Sequence, residues 1–138
     1  MRSITHIVIH CTATPEGREH TAAEIRSWHL AKGWKDIGYH YVVKLDGSVE
    51  SGRPVSEQGA HVKGHNATTI GVVYVGGMDK GMKEPKDTRT EAQKDTLRVL
   101  LTELKKDYPH AQILGHNDFP GVAKACPSFD ALTEYAQL

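Results

Sequence analysis

Apolar and polar positions along the chain follow two periods, and each stretch points to one kind of element. Residues 4–10 (ITHIVIH) alternate with period two, which puts Ile7 and Ile9 on one face of a strand and Val8 and His10 on the other. Thr21-Ala22-Ala23-Glu24 reads as a capping box opening a helix that stops at Gly33. Ile25 and Trp28 are expected on its packing face, with His29 peripheral. Residues 39–45 (YHYVVKL) are rich in β-branched and aromatic side chains, and Asp46-Gly47 turns them back into residues 48–51, a hairpin. Alternation there places Tyr39 and Tyr41 on one face and His40 on the other. Residues 70–75 (IGVVYV) form a short apolar interior strand closed by Gly76-Gly77, and residues 78–87 are polar enough to read as a loop. Thr90 and Gln93 cap a second helix, in which Leu97, Leu100, Leu101 and Leu104 keep the helical period to about Asp107. Residues 113–116 predict a short strand and 117–127 an irregular loop. Residues 128–136 predict a last short helix with Phe129, Leu132 and Tyr135 inward. Strands and helices interspersed in this way predict an α/β layered fold. With no repeat or linker in view, residues 1–138 are expected to form a single domain.

Composition narrows the setting. A chain of 138 residues buries roughly 68–70% of its unfolded surface, enough to fold without disulfides or a partner, so a monomer is expected. Lys plus Arg and Asp plus Glu both total 17, so no net field draws the protein to nucleic acid or to an anionic membrane. No apolar run approaches the roughly 18 residues of a membrane span. The N-terminal stretch lacks the apolar block of a secretory signal, so cytoplasmic synthesis is expected. Two cysteines make no disulfide framework.

Nine histidines are many for this length, and most are read as structural or superficial. His6, His20, His65 and His110 are expected on surfaces or loops, and His40 in a structural position. Cys11 neighbours His10 on a strand and should face the opposite side, into the core. Three residues stand apart: His10 and His116, each at a strand end, and Cys126, across a Gly/Pro-containing loop from His116. Two imidazoles and a thiolate suit zinc and leave a fourth position open to water. No short-range motif such as CxxC or HExxH supports the set. By spacing alone these are also readable as unrelated strand-end side chains. Tyr39 and Lys124 could supply a phenol and an ammonium near such a site, or could be a packing tyrosine and a solvated lysine.

Five segments, IVIHCTAT, GYHYVVKLDG, GAHVKGHN, IGV and GHNDFPGVAKACPSFD, occur in the order found in zinc-dependent N-acetylmuramoyl-L-alanine amidases. The chain resembles that family from about Ile4 to Asp130, including its phage lysozyme-like members and, more distantly, peptidoglycan recognition proteins. The resemblance implies a central mixed β-sheet of about five strands flanked by helices, with zinc in a surface groove. It implies His10, His116 and Cys126 as zinc ligands, Tyr39 and Lys124 as catalytic residues, and His61 and Asn66 as groove residues that bind substrate. The implied activity is hydrolysis of the amide between N-acetylmuramic acid and L-alanine, with peptidoglycan or its muropeptides as partner. Likeness to phage enzymes implies an endolysin of a phage or prophage, held in the cytoplasm until lysis releases it to the wall. Phage relatives that inhibit the phage RNA polymerase carry a longer segment before the first ligand. Only nine residues precede His10, so that polymerase is not expected as a partner.

Overall fold

The computed structural model describes residues 2–122 and 124–138; Met1 and Ala123, the latter within the expected 117–127 loop, lie outside the described residues. In chain order the elements are β1 (His6–Cys11), β2 (Thr14–Pro15), α1 (Ala22–Ala31), β3 (Tyr41–Val43), β4 (Val49–Ser51), β5 (Thr69–Tyr74), β6 (Gly77–Met78), α2 (Glu91–Asp107), β7 (Gln112–Gly115) and α3 (Ala131–Glu134). Five strands form a mixed sheet in the order β4-β3-β5-β1-β7, and β2 pairs with β6 beside it. β1 runs parallel to β5 on one side and to β7 on the other, β3 runs parallel to β5, and only the β3–β4 hairpin is antiparallel. All six residues of β5 are buried, and β1 is buried from Ile7 onward, as strands covered on both faces should be.

Ile7, Ile9 and Cys11 point into the larger core with Ile70, Val72 and Tyr74, under Leu97, Leu101 and Leu104 of α2 and Ala131 and Tyr135 at α3. Each fully buried leucine there contributes about 1.5–3 kcal/mol. On the other face Ile25 of α1 packs with Ile37, Val42, Val73 and Val75. Val8 packs there with Val62, Leu114 and Phe119. Gln93 is fully buried and joins α2 to the sheet, because its amide donates to the carbonyls of Val75 and Val43 at 3.0 and 3.3 Å.

Four details differ from the sequence reading. On α1 it is His29 that is buried, while Trp28 is 38% exposed. The chain doubles back after the helix, and the Gly38 amide donates to His29 Nδ1 at 2.8 Å, which fixes the imidazole inside. His20 is buried as well, bonded to Glu24 at 3.1 Å and edge-on to Trp28. Tyr39 and Tyr41 lie on opposite sides of the sheet, Tyr39 with the α1 cluster and Tyr41 with the α2 cluster. Regular strand begins only at Tyr41, so alternation does not extend back to Tyr39. Finally, α3 is one turn, started by Asp130, whose carboxylate accepts from the Thr133 amide at 3.2 Å.

Candidate metal centre and groove

Ligands of parallel α/β sheets gather at the carboxyl ends of the strands. His10 lies near that end of β1, 1% exposed, and His116 follows directly on β7. The turn at His116 is held by the Asp118 carboxylate, which accepts from the Gly115 amide at 2.8 Å. Cys126 reaches the same place from a returning loop: the Asn117 amide donates to its carbonyl at 2.9 Å and the Cys11 amide to its Sγ at 3.2 Å. Just beyond it, the Tyr74 hydroxyl donates to the Pro127 carbonyl at 2.6 Å and the Ser128 hydroxyl to the Gly77 carbonyl at 2.9 Å. Gly77, at φ 104°, has no room for a side chain, because a Cβ there would collide with Cys11 Sγ.

One ligand-capable atom from each of His10, His116 and Cys126 lies within 4.8 Å of the others, and Cys126 Sγ is 3.8 Å from His10 Nδ1. Zinc–sulfur bonds of about 2.3 Å and zinc–nitrogen bonds of about 2.0–2.1 Å, set tetrahedrally, separate donors by about 3.3–3.6 Å. The donor set therefore fits such an ion with small side-chain adjustment. Burial, reinforced by His61, His116 and Lys124, holds His10 well below the ordinary imidazole range. Burial and then Lys124 also lower His116. Both rings are thus neutral near pH 7, the form that binds metals. The neighbouring Cys11 thiol and burial push the Cys126 thiol up, and a cation at this focus would reverse that by holding the thiolate.

Around the donors run two cavities, of about 340 and about 640 Å³. They share Trp34, Ala60, His61, His116 and Lys124, so they form one groove, of the size that binds small ligands. Tyr39 lines the first, its ring 5.1 Å from that of His10, and burial, helped by the two thiols, holds its phenol protonated well above neutral pH. Lys124 is exposed at the junction of the two cavities. His61 lines both, and its Nδ1 also lies 2.8 Å from His10 Nε2. Asn66 lines the second, while its Oδ1 accepts from the His61 and Val62 amides at 2.9 Å each and so shapes the turn that presents His61.

Several residues here were not singled out in the sequence. Trp34, Lys32 and Lys63 line the groove, and His29 forms part of its wall between the rings of Trp34 and Tyr39. Two arginines brace the loops behind it. The buried Arg53 donates to the carbonyls of Ile37 and Gln58 at 2.7 and 2.8 Å, and Arg2 donates to those of Val55 and Thr69 at 2.7 and 2.9 Å. An arginine that donates mainly to backbone carbonyls leaves no periodic trace in a sequence. The Gly33-Trp34 step after the helix was the one local signal for a wall residue.

Comparison with known proteins places this geometry. The chain is 46% identical over 127 residues to an endolysin of Klebsiella phage KP32, covering 91% of this chain and 82% of that one. It is 44% identical over 124 residues to the endolysin of Escherichia phage T7, covering 90% and 80%. Among solved structures, the N-acetylmuramoyl-L-alanine amidase LysC from Clostridium intestinale URNW superposes with a TM-score of 0.80 at 28% identity, over 97% of this chain and 83% of that one. Residues 1–129 match the sequence model of the N-acetylmuramoyl-L-alanine amidases. With its fold and nearly its whole length in common with these proteins, the chain belongs to the N-acetylmuramoyl-L-alanine amidase family.

Proposed function

We propose that this chain is a zinc-dependent amidase that cuts the bond between the lactyl group of N-acetylmuramic acid and L-alanine in peptidoglycan, and serves a phage or prophage as its endolysin. The observation that carries the zinc reading is the convergence of His10, His116 and Cys126, from opposite ends of the chain, within 4.8 Å beside an open groove. The family and the phage endolysin relatives support the reaction and the role. A bound zinc ion supplies Lewis acidity, which acidifies water and polarises a carbonyl.

The chain's own residues supply the rest. Hydrolysis adds the oxygen of water to the lactyl carbonyl carbon, breaks the carbon–nitrogen bond and returns a proton to the alanine nitrogen. Lys124 brings positive charge to the groove beside Cys126, where an oxyanion would develop. Tyr39, held as a neutral phenol, orients the attacking water or the departing nitrogen by hydrogen bonding and is not a phenolate base. The continuous groove leaves space for glycan on one side of the scissile bond and stem peptide on the other. No helix among the described residues is long and apolar enough to cross a membrane. On this reading the protein waits in the cytoplasm as a monomer and reaches the wall when the membrane is breached.

Digestion of purified sacculi tests the proposal. New N-terminal L-alanine without new reducing sugar ends is expected, with activity lost to a chelator and restored by zinc. New reducing ends would make the protein a glycosidase. Binding without any product would make it a recognition module.

A further inference from the structure

The second nitrogen of His10 begins a chain of hydrogen bonds leading away from the ligand cluster. His10 Nε2 lies 2.8 Å from His61 Nδ1, His61 Nε2 lies 3.2 Å from Thr69 Oγ1, and Thr69 Oγ1 lies 2.8 Å from the His65 carbonyl. A carbonyl only accepts, so the single hydroxyl proton of Thr69 points to His65. Thr69 then receives a proton from His61 Nε2. A neutral His61 that donates from Nε2 must accept at Nδ1, so His10 donates from its own Nε2. That leaves the lone pair of His10 on Nδ1, the nitrogen 3.8 Å from Cys126 Sγ. Each link follows from the one before, and the direction is set by a backbone carbonyl that cannot reverse it.

The packing keeps this arrangement in place. Thr69 is fully buried. A Cβ on Gly71 would stand 2.7 Å from His61 Cγ, and one on Gly59 would stand 2.9 Å from His61 Cδ2, so both glycines clear a slot for the ring. His116 has no comparable anchor: among the described residues its imidazole makes no side-chain hydrogen bond. The two imidazoles of the cluster are therefore unequal, one pre-set and one free to adjust.

We propose that Thr69 and His61 are positioning residues that fix the proton of His10 on Nε2 and so present Nδ1 to the metal. This rests on the zinc reading above and adds a hydroxyl that does not line the groove. Partners of this kind typically change metal affinity by about 10–100-fold. Zinc affinity, measured by competition with a chromophoric chelator, is expected to fall by about that factor in Thr69→Val, which keeps the shape and loses the hydroxyl. Thr69→Ser, which keeps the hydroxyl, should stay close to wild type. Nuclear magnetic resonance of isotope-labelled histidine in the metal-free wild-type protein should find both His10 and His61 protonated on Nε2. A proton on His10 Nδ1, or wild-type affinity in a folded Thr69→Val variant, overturns the relay. The tautomers decide the matter even if that variant does not fold. Failure of the wild-type protein to take up zinc would instead overturn the metal reading, which the metal-free tautomers do not depend on.

Discussion

Lys124 and Tyr39 face the same cavity with opposite constraints, one a solvated cation and the other a phenol held neutral by its surroundings. Lys124→Ala should lower kcat by about 10²–10³-fold, the usual loss of one oxyanion partner, with zinc content unchanged by metal analysis. Cys126→Ser should act differently, releasing zinc at chelator concentrations that leave wild type loaded; full occupancy would show the ligand to be misassigned. Strand ends and a returning loop single out His10, His116 and Cys126 as candidates in the sequence, but spacing alone leaves them readable as unrelated side chains, and only the family resemblance assigns roles to them and to Tyr39 and Lys124. Thr69 was not readable. In a linear sequence it is one β-branched residue at the start of an apolar run, and only the folding of the 59–66 segment against β5 gives its hydroxyl a direction. His61 was legible as a groove residue, whereas its bond to His10 depends on two glycines that matter through the side chains they lack.

Helix boundaries were written locally, and buried helix faces were not. Both capping boxes form as Thr21–Glu24 and Thr90–Gln93 foretell. Thr21→Ala should cost about 1 kcal/mol in urea unfolding, the usual value of an N-cap. Thr90→Ala should cost more, because that hydroxyl also donates to the Leu45 carbonyl at 2.7 Å and ties α2 to the β3–β4 turn. Equal costs would count against that tie. On α1, periodicity pointed to tryptophan over histidine, since apolar bulk normally decides which face is buried. The outcome is reversed because the chain returning through Gly38 gives His29 a backbone donor, while Trp28 is left at the groove rim. The face assigned to Tyr39 failed for a related reason. Gly38 and Gly52 lie so close to the backbones of Ala60 and Tyr39 that neither could carry a Cβ, and this close packing precedes regular strand.

Over the whole molecule, several imidazoles are kept neutral inside the fold, and this makes stability depend on acid. Burial, with Lys32 and Arg53 nearby, takes His29 from the ordinary 6.5 to about 4, and burial, with His40 and His116, takes His61 to about 3. Folded-state values below the unfolded value mean that the unfolded chain binds more protons between them. The stabilisation is therefore complete above about pH 6.5 and is lost as pH falls through about 4 toward about 3. Urea midpoints of the metal-free protein should fall steadily from pH 7 to pH 4, and a flat profile would refute the assignment. Zinc should raise the melting temperature at neutral pH, by about 4 kcal/mol of stability when free metal is a thousand times its Kd. The sheet order itself could not be read from the sequence. β1 is the first strand, yet it stands between β5 and β7, and nothing local says that the chain will insert later strands on both sides of it.

That placement bears on when the molecule becomes dangerous. Two of the donors that meet at Cys126 Sγ and His10 Nδ1 are 116 positions apart in the order of synthesis. On the zinc reading, a nascent or broken copy lacking the last stretch lacks one of its three ligands, however well its early strands have formed. On that reading only finished copies cut the wall, and a copy truncated before Cys126 should release no product from sacculi.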